Sequence, residues 1–546
     1  MFKHLKQLIY AMVLLFLLTA CTSYSQDENI KEMENPPEQE EVISDSGPVN
    51  GGTLNLYVSS LDSVNPLFVK DKSASEVFGL VYDSLVALDG QLKAVPCLAE
   101  RWEVSPDGMT WTFYLRKDVR WHDNVQFTAK DVDFTFKTLA DNQYDSVYKY
   151  NIKYVSYFVA EDSYTFKVVL SKPHGNFLTL MDFPIIPRHK FEGREFLKED
   201  MDFVPVGTGP YQIKEYEPYK QMKLAVNPLW WGENIPYIDN INVQVMPDNG
   251  TALYALEAKE LDYVSTDVVD WEKYSGKEGL QSKEYSTGRY EFLAVNFNNI
   301  VLSDNSVRKA IAYAIDRDKI INEVLLGNGK KTDVPIQPES WLYDSNRETY
   351  NYDVQKAKQI LDEGGWRDTD GDGVLDKMIE GVKVPLSFQL LTNRENNIRR
   401  EVAQIIVNQL KELGMDVTFK TALWDDLKEI IAAQDFDILL TGLNLSSDGD
   451  LSFAFHSSEI EKGTNFISYN NPIMDQYIEK ALTSVEEEQI KYNYSLLQKK
   501  IVEELPYISL YFRTSAVLYS QRLRGDIAPL GTNIYNNIHK WYLVTQ

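Results

Sequence analysis

The chain has 546 residues, 44% of them hydrophobic, and a formal net charge of −26. So acidic a body repels phosphate backbones and anionic lipid, which sets nucleic acid aside as a partner. Length predicts about two to three domains or lobes, and with only two cysteines, Cys21 and Cys97, the fold relies on ordinary packing and not on disulfides.

In chain order, the first signal is one of address. Lys3 and Lys6 precede thirteen uncharged residues, Leu8 to Ala20, fewer than the roughly 20 that span a bilayer core as a helix. A basic start, a short apolar run and a small residue at its end predict a secretory signal peptide over residues 1–20. Leu18-Thr19-Ala20-Cys21 resembles the bacterial lipobox, in which leucine and two small residues precede a cysteine that is lipidated and becomes the first mature residue. The resemblance implies Cys21 as the lipid attachment point, with the body outside the cytoplasm. A plain signal peptide that cysteine happens to follow is the simpler alternative. Each buried acyl CH2 contributes about 0.8 kcal/mol, so a multiply acylated residue holds its chain at a membrane surface. Residues 22–50 carry eight acids against one lysine and include Pro36-Pro37. They offer little to bury, which predicts a disordered acidic linker over 21–50, beginning at the lipidated cysteine.

From Gly51 the pattern changes. Runs of β-branched and aromatic residues of strand length recur at 53–60, 165–171, 222–227, 241–246, 290–297, 385–391, 416–422, 436–443 and 507–520. Amphipathic helices lie between them. In 397–414, Val402, Ile405, Ile406, Leu410 and Leu413 share one face and Gly414 supplies the stop, while 306–327 and 354–365 also end in glycine. Strands alternating with helices predict an α/β architecture with sheets covered by helices.

Catalytic signatures are missing from the sequence. It contains no H-E-x-x-H, C-x-x-C, G-x-S-x-G or P-loop, and its six histidines do not cluster, so neither a zinc site nor a nucleophile elbow is indicated. Pro106-Asp107-Gly108 predicts a tight turn between two strands. Gly207-Thr208-Gly209-Pro210 imitates a nucleotide loop, but a strand-like segment follows it and a third glycine is lacking, so a turn is expected. His122-Asp123 has no nucleophile near it and is expected to make structural hydrogen bonds. Paired carboxylates across a cleft, the machinery of a glycoside hydrolase, are not marked.

Three separated blocks carry a family likeness. Residues 98–137 contain Trp102 after Leu98-Ala99-Glu100, the Pro-Asp-Gly turn, Leu115-Arg116-Lys117, His122-Asp123, and Thr128-Ala129 before Asp131. With 205–232 and 307–320, this region resembles the family 5 extracellular solute-binding proteins, the peptide and nickel receptors of ABC importers. Trp366-Arg367-Asp368, residues 455–458 and residues 468–475 extend the likeness, in order, from about residue 51 to about residue 520. Asn124 stands where the family usually has glycine, and tolerates left-handed geometry next best.

The resemblance implies a periplasmic-binding-protein type II (class C) fold: two lobes with an extra subdomain and a hinge. It places the first lobe at 51–290 with the subdomain inserted at about 84–199, the second at 291–512, and a C-terminal return to the first at 513–546. It implies a monomer without cofactor or enzymatic activity. This monomer closes its lobes on a peptide and delivers it to a membrane permease and its ATPase. The same scaffold leaves open an oligosaccharide, a nickel chelate or haem; the 33 tyrosines suit sugar faces. An extracellular hydrolase is the reading from another class.

Cleft residues follow from the same likeness. The strand running into 442–450 resembles the family strand that ends in Gly-Trp and leads to a carboxylate for the ligand's α-ammonium. Here Leu443 follows Gly442, and Gly449 and Leu451 stand where prolines are frequent. One register puts the anchor on Asp448; another, counted from Gly442, puts Ser446 there. Asn444 lies between. Trp424 is read as a cleft aromatic or as lobe packing. Ser265, Thr266 and Asn296 are read at strand ends facing the hinge, and Asn65 in a ligand loop. No basic residue matches a carboxylate anchor, which favours longer peptides over dipeptides. Finally, Asp368, Asp370, Asp372 and Asp376 are spaced as in a calcium loop, but the twelfth position is Ile379 and Glu380 comes one late. Both a solvated turn and a weak calcium site remain open.

Overall fold

The computed structural model describes residues 47–61, 63–193 and 204–544. Cys21, the apolar run before it and linker residues 22–46 lie outside the described residues.

Alternation sets the first sheet. Along Thr53–Val58, Leu54, Leu56 and Val58 are buried while the residues between them are half-buried, the period of a strand with one face on a core. It pairs in parallel with Asn240–Val245, which pairs antiparallel with Gln221–Val226, followed by Tyr211–Glu217. A second four-stranded sheet, ordered Ala99–Val104, Thr110–Leu115, Thr165–Leu170 and Val155–Ala160, is inserted in sequence after the first strand. Phe136 on helix Ala129–Ala140 packs on Phe158 and Phe166 of that sheet. The turn at Pro106-Asp107-Gly108 joins its first two strands. There the Gly108 N–H donates to the Ser105 carbonyl at 2.8 Å, and Gly108 takes φ +69°. Both sheets feed one core that runs from Leu54 to Trp541, each fully buried Leu, Val or Phe contributing about 1.5–3 kcal/mol.

The glycine loop is a packing device. A Cβ on Gly207 would stand 1.8 Å from the Val81 carbonyl oxygen, so backbone meets backbone where a phosphate would otherwise sit. His122 braces it: Nδ1 accepts from the Gly207 N–H at 3.0 Å and Nε2 meets the Gly209 carbonyl at 3.1 Å. Burial pushes this histidine down to about 4, and the neutral ring matches that donor and acceptor pair. Asp123 is held by His189 at 2.9 Å and Lys190 at 3.0 Å.

The second body is built on a seven-stranded sheet. Its order is Tyr263–Thr266, Tyr507–Ser520, Leu280–Val295, Ile438–Asn444, Ser387–Asn393, Asp416–Ala422, with Gly329–Lys331 added against Tyr507–Ser520. Helix Asn397–Lys411 covers it through Val402, Ala403, Ile406, Val407 and Leu410. Ile405, expected on that face, is only partly buried; the core stripe is rotated so that Ala403 and Val407 complete it. Gly414 closes the segment at φ +81°. This core runs from Tyr290 to Phe512.

Two long antiparallel strands join the bodies. In Leu280–Val295 and Tyr507–Ser520, residues Tyr285, Val517 and Tyr519 enter the first core, whereas Tyr290 to Val295 and Tyr507 to Phe512 enter the second. At the changeover the register slips. Ser286 faces Thr514 and Tyr290 faces Phe512, so residues 287–289 stand opposite Arg513 alone. This is a bulge, which bends a strand and re-aims its side chains. Gly288 is required there, since a Cβ would lie 2.7 Å from the Leu445 carbonyl oxygen.

Candidate ligand-binding cleft

Three cavities, with volumes of about 260, 530 and 460 Å3, share walls in that order; the last two lie at the junction of the two bodies, and the first is lined by residues of the first body alone. Glu76 is a wall of the first two and Asn444 of the last two. The central cavity takes Tyr57, Asp71, Lys72 and Glu76 from the first body and Arg289, Asn444 and Ser515 from the crossing sheet. Helix Lys72–Phe78 points Lys72 and Glu76 at it because Asp71 starts the helix there, its carboxylate accepting from the Ala74 N–H at 2.9 Å.

Asn249 organises the hinge side. Its amide donates to Tyr57 Oη at 2.6 Å and to the Ser265 carbonyl at 2.7 Å, while its oxygen accepts from Thr266 Oγ1 at 2.6 Å. Ser265 Oγ shares a hydrogen bond with Tyr285 Oη at 2.8 Å. Burial pushes the Tyr57 phenol up to about 12, so this wall presents neutral groups. Across from it the bulge aims Arg289 into the cavity, where it donates to Asp267 at 2.6 Å and to Ser515 Oγ at 2.6 Å. Arg513, beside it, donates to the Asp267 carbonyl at 3.1 Å. Burial and the neighbouring Arg289 lower its basicity.

The third cavity is bounded by Tyr150, Asn151, Asn444, Ser446 and Asp450. Behind it the loop after Ile438–Asn444 is fastened to the inserted sheet's domain. Asp448 accepts from Tyr150 Oη at 3.2 Å and lies 3.5 Å from Lys153 Nζ and 3.8 Å from His174 Nε2. Asp450 accepts from Lys153 at 3.0 Å and from Tyr154 Oη. Burial works to raise both carboxyls, but Lys153, His174 and the tyrosine hydroxyl between them hold both below the usual carboxylate range. Asn176 adds a bond to the Ser447 carbonyl at 3.0 Å.

Of the residues singled out in sequence, Ser265, Thr266, Asn444 and Ser446 come together in these walls. Others do not. Asp448 is 1% exposed, and its partners leave it no free face for a ligand ammonium; the position facing the cavity is Ser446. Asn65 is buried and turns its oxygen to the Leu67 N–H at 3.1 Å. Asn296 lies at the far end of its strand, donating to the carbonyls of Gln434 and Phe436. Gly442 fits under the Glu291–Arg399 ion pair, whose atoms would be 2.5 to 2.6 Å from a Cβ. Trp424 is 46% exposed on helix Trp424–Ala433 and lines none of the three cavities. Asp368, Asp370 and Asp372 bring carboxylate oxygens within 4.8 Å of one another. Asp376 is buried instead, bonded to Thr369 and Lys383, and Lys383 also pairs with Asp370 at 2.5 Å.

Sequence reasoning missed Glu76, Asn249, Arg289 and Asp182, which face the cavities from four separate segments. The one local signal was Gly288 before Arg289 inside a strand, the mark of a bulge. Among the described residues no helix is long and apolar enough to cross a membrane.

Comparison with known proteins agrees with this geometry. The family model described as bacterial extracellular solute-binding proteins, family 5 Middle, matches residues 93–462. The chain is 30% identical over 557 residues to the oligopeptide-binding protein AppA of Bacillus subtilis, covering 99% of this chain and 98% of that one. It is 26% identical to the dipeptide-binding protein of Escherichia coli, over 84% of this chain and 88% of the other. The structure of Bacillus subtilis AppA in complex with a nonapeptide superposes with a TM-score of 0.65 at 29% identity, over 91% of this chain and all of that one. The chain therefore belongs to the family 5 bacterial extracellular solute-binding proteins and has their two-lobed, hinged, type II α/β fold.

Proposed function

We propose that this protein captures peptides outside the cytoplasm by closing its two lobes on them, and delivers them unaltered to the permease and ATPase of an ABC importer. The observation that carries the reading is the pair of cavities, with Asn444 as a shared wall, between bodies that are joined by two long strands. A chain of cavities suits an extended ligand of several residues, and the relatives named above bind oligopeptides, dipeptides and a nonapeptide. Ligand contacts with both lobes exist only when the lobes are together, so binding energy shifts the population toward closure. A lipid on Cys21 anchors the monomer to the outer face of the cell membrane. The histidine-free cavity linings favour peptide over a nickel chelate.

Isothermal titration with mixed peptides of two to nine residues tests the reading, together with small-angle scattering and mass analysis of the recovered ligand. The expected result is binding, a smaller radius of gyration and intact peptide. Binding of none of the peptides, or their hydrolysis, overturns it.

A further inference from the structure

The third cavity, of about 460 Å3, lies between the two bodies and has a single charged residue on its walls, Asp450. The rest of the lining mixes apolar groups, Leu443, Leu445 and Phe453 among them, with the polar Asn151, Asn444 and Ser446. Asp450 is already engaged. Lys153, on the first body, brings its Nζ to 3.0 Å from Asp450 and 3.5 Å from Asp448 on the second. The same Nζ stands 3.7 Å from the ring centre of Tyr150 and 4.6 Å from that of Tyr154. Two carboxylates and two aromatic faces form a site for one cation, and the cation in it belongs to the chain itself.

Burial makes this occupancy matter. The side chains of Asp448 and Asp450 are 1% and 9% exposed, so water screens their charge little, and a buried carboxylate deprived of its partner is strongly destabilised. His174 Nε2 lies 3.8 Å from Asp448 and adds positive charge only when protonated. Lys172, 5.2 Å from the Tyr154 ring centre, is exposed and is a second lysine of the same neighbourhood. With Lys153 in place the cavity offers a ligand hydrogen bonds and apolar contact, but no unpaired charge.

We propose that Lys153 is a specificity-determining residue: its ammonium fills the cation site at the junction of the lobes, so that the third cavity receives an uncharged part of the bound peptide and not its α-ammonium. The inference rests on the peptide-binding reading above and assigns the substrate class: peptides that present an uncharged side chain or main-chain segment at this end of the cleft.

The test is titration of the wild-type protein, Lys153→Ala and Lys172→Met with an alanine hexapeptide whose N-terminus is free or acetylated. The readout is the ratio of the two affinities, from which any general weakening of closure cancels. In Lys153→Ala the ratio should shift about 10-fold toward the free amine, because the vacated acids now take the ligand's ammonium. In Lys172→Met it should stay as in the wild type. Propylammonium, the group that Lys153→Ala removes, is the second probe: it should raise the unfolding temperature of that variant and leave the wild type unmoved. Should Lys153→Ala not fold, Lys153→Met carries the titration. An unchanged ratio, a folded variant that binds neither peptide, or propylammonium acting equally on variant and wild type overturns the role of Lys153 while the peptide-binding reading stands. Absence of binding of both peptides by the wild type overturns the peptide-binding reading, and the propylammonium measurement then decides on the cation site alone.

Discussion

Aspartate starts five of the described helices. Asp71, Asp248, Asp304, Asp316 and Asp353 each cap a helix by accepting a backbone N–H of the first turn. Negative charge there also meets the positive end of the helix dipole. Asp353→Ala should therefore lower stability by about 1 kcal/mol, measured by chemical denaturation, without altering peptide affinity, because that helix lies away from the cleft. Gly207→Ala is expected to be far more damaging. Its methyl would overlap the Val81 carbonyl and displace the His122 brace, so the variant should unfold several degrees lower or fail to accumulate folded. What was legible at this scale was local chemistry: the turn at Gly108, the stop at Gly414, the structural role of His122. Ser446 and Asp448 were harder, because only the folded loop shows which of them meets the cavity and which meets Lys153.

Among the elements, strands of alternating or continuous apolar character were legible, and each of the nine runs noted in sequence corresponds to a strand. The exception in extent is Leu280–Val295, of which only the last part reads as a strand. Its first half is polar: Lys283 and Glu284 face solvent, and Thr287, Gly288 and Arg289 reach the cavity wall. The loop bearing Asp448 and Asp450 is the other element that tertiary contact defines. Its partners Tyr150, Lys153, Tyr154 and His174 lie about 300 residues away. Lys153→Met should loosen this fastening, because it leaves two buried carboxylates without their cation. The expected outcome is a lower unfolding temperature and weaker peptide binding through a less populated closed state. The pH dependence has a defined sign. Both carboxyls titrate below their unfolded range, so their contribution is complete above that range and is lost as pH falls through the lowered folded values. Unfolding temperature should thus fall on acidification more in the wild-type protein than in the Lys153→Met, Asp448→Asn, Asp450→Asn variant.

At the scale of the whole molecule, the α/β class followed from alternation of strands and helices, and the two-lobed form from the family likeness. The cleft did not, because its walls come from residues near 57, 76, 249, 289 and 444, and periodicity says nothing about which distant segments face one another.

The slipped register at residues 287–289 has a mechanical consequence. A continuous ladder resists bending because every amide must keep its mate, but this stretch has three residues facing one and therefore surrenders little when the strands flex. The register slips again between Glu291 and Phe292, where Leu510 is passed over, so the two rails have their irregular pairing gathered within residues 287–292, where rotation of one half against the other is expected to bend them. Backbone amides of 287–289 should exchange with deuterium faster than those of Tyr290 to Val295, and a saturating peptide should slow them more than any other stretch of the two rails. Uniform exchange along both would place the crease elsewhere.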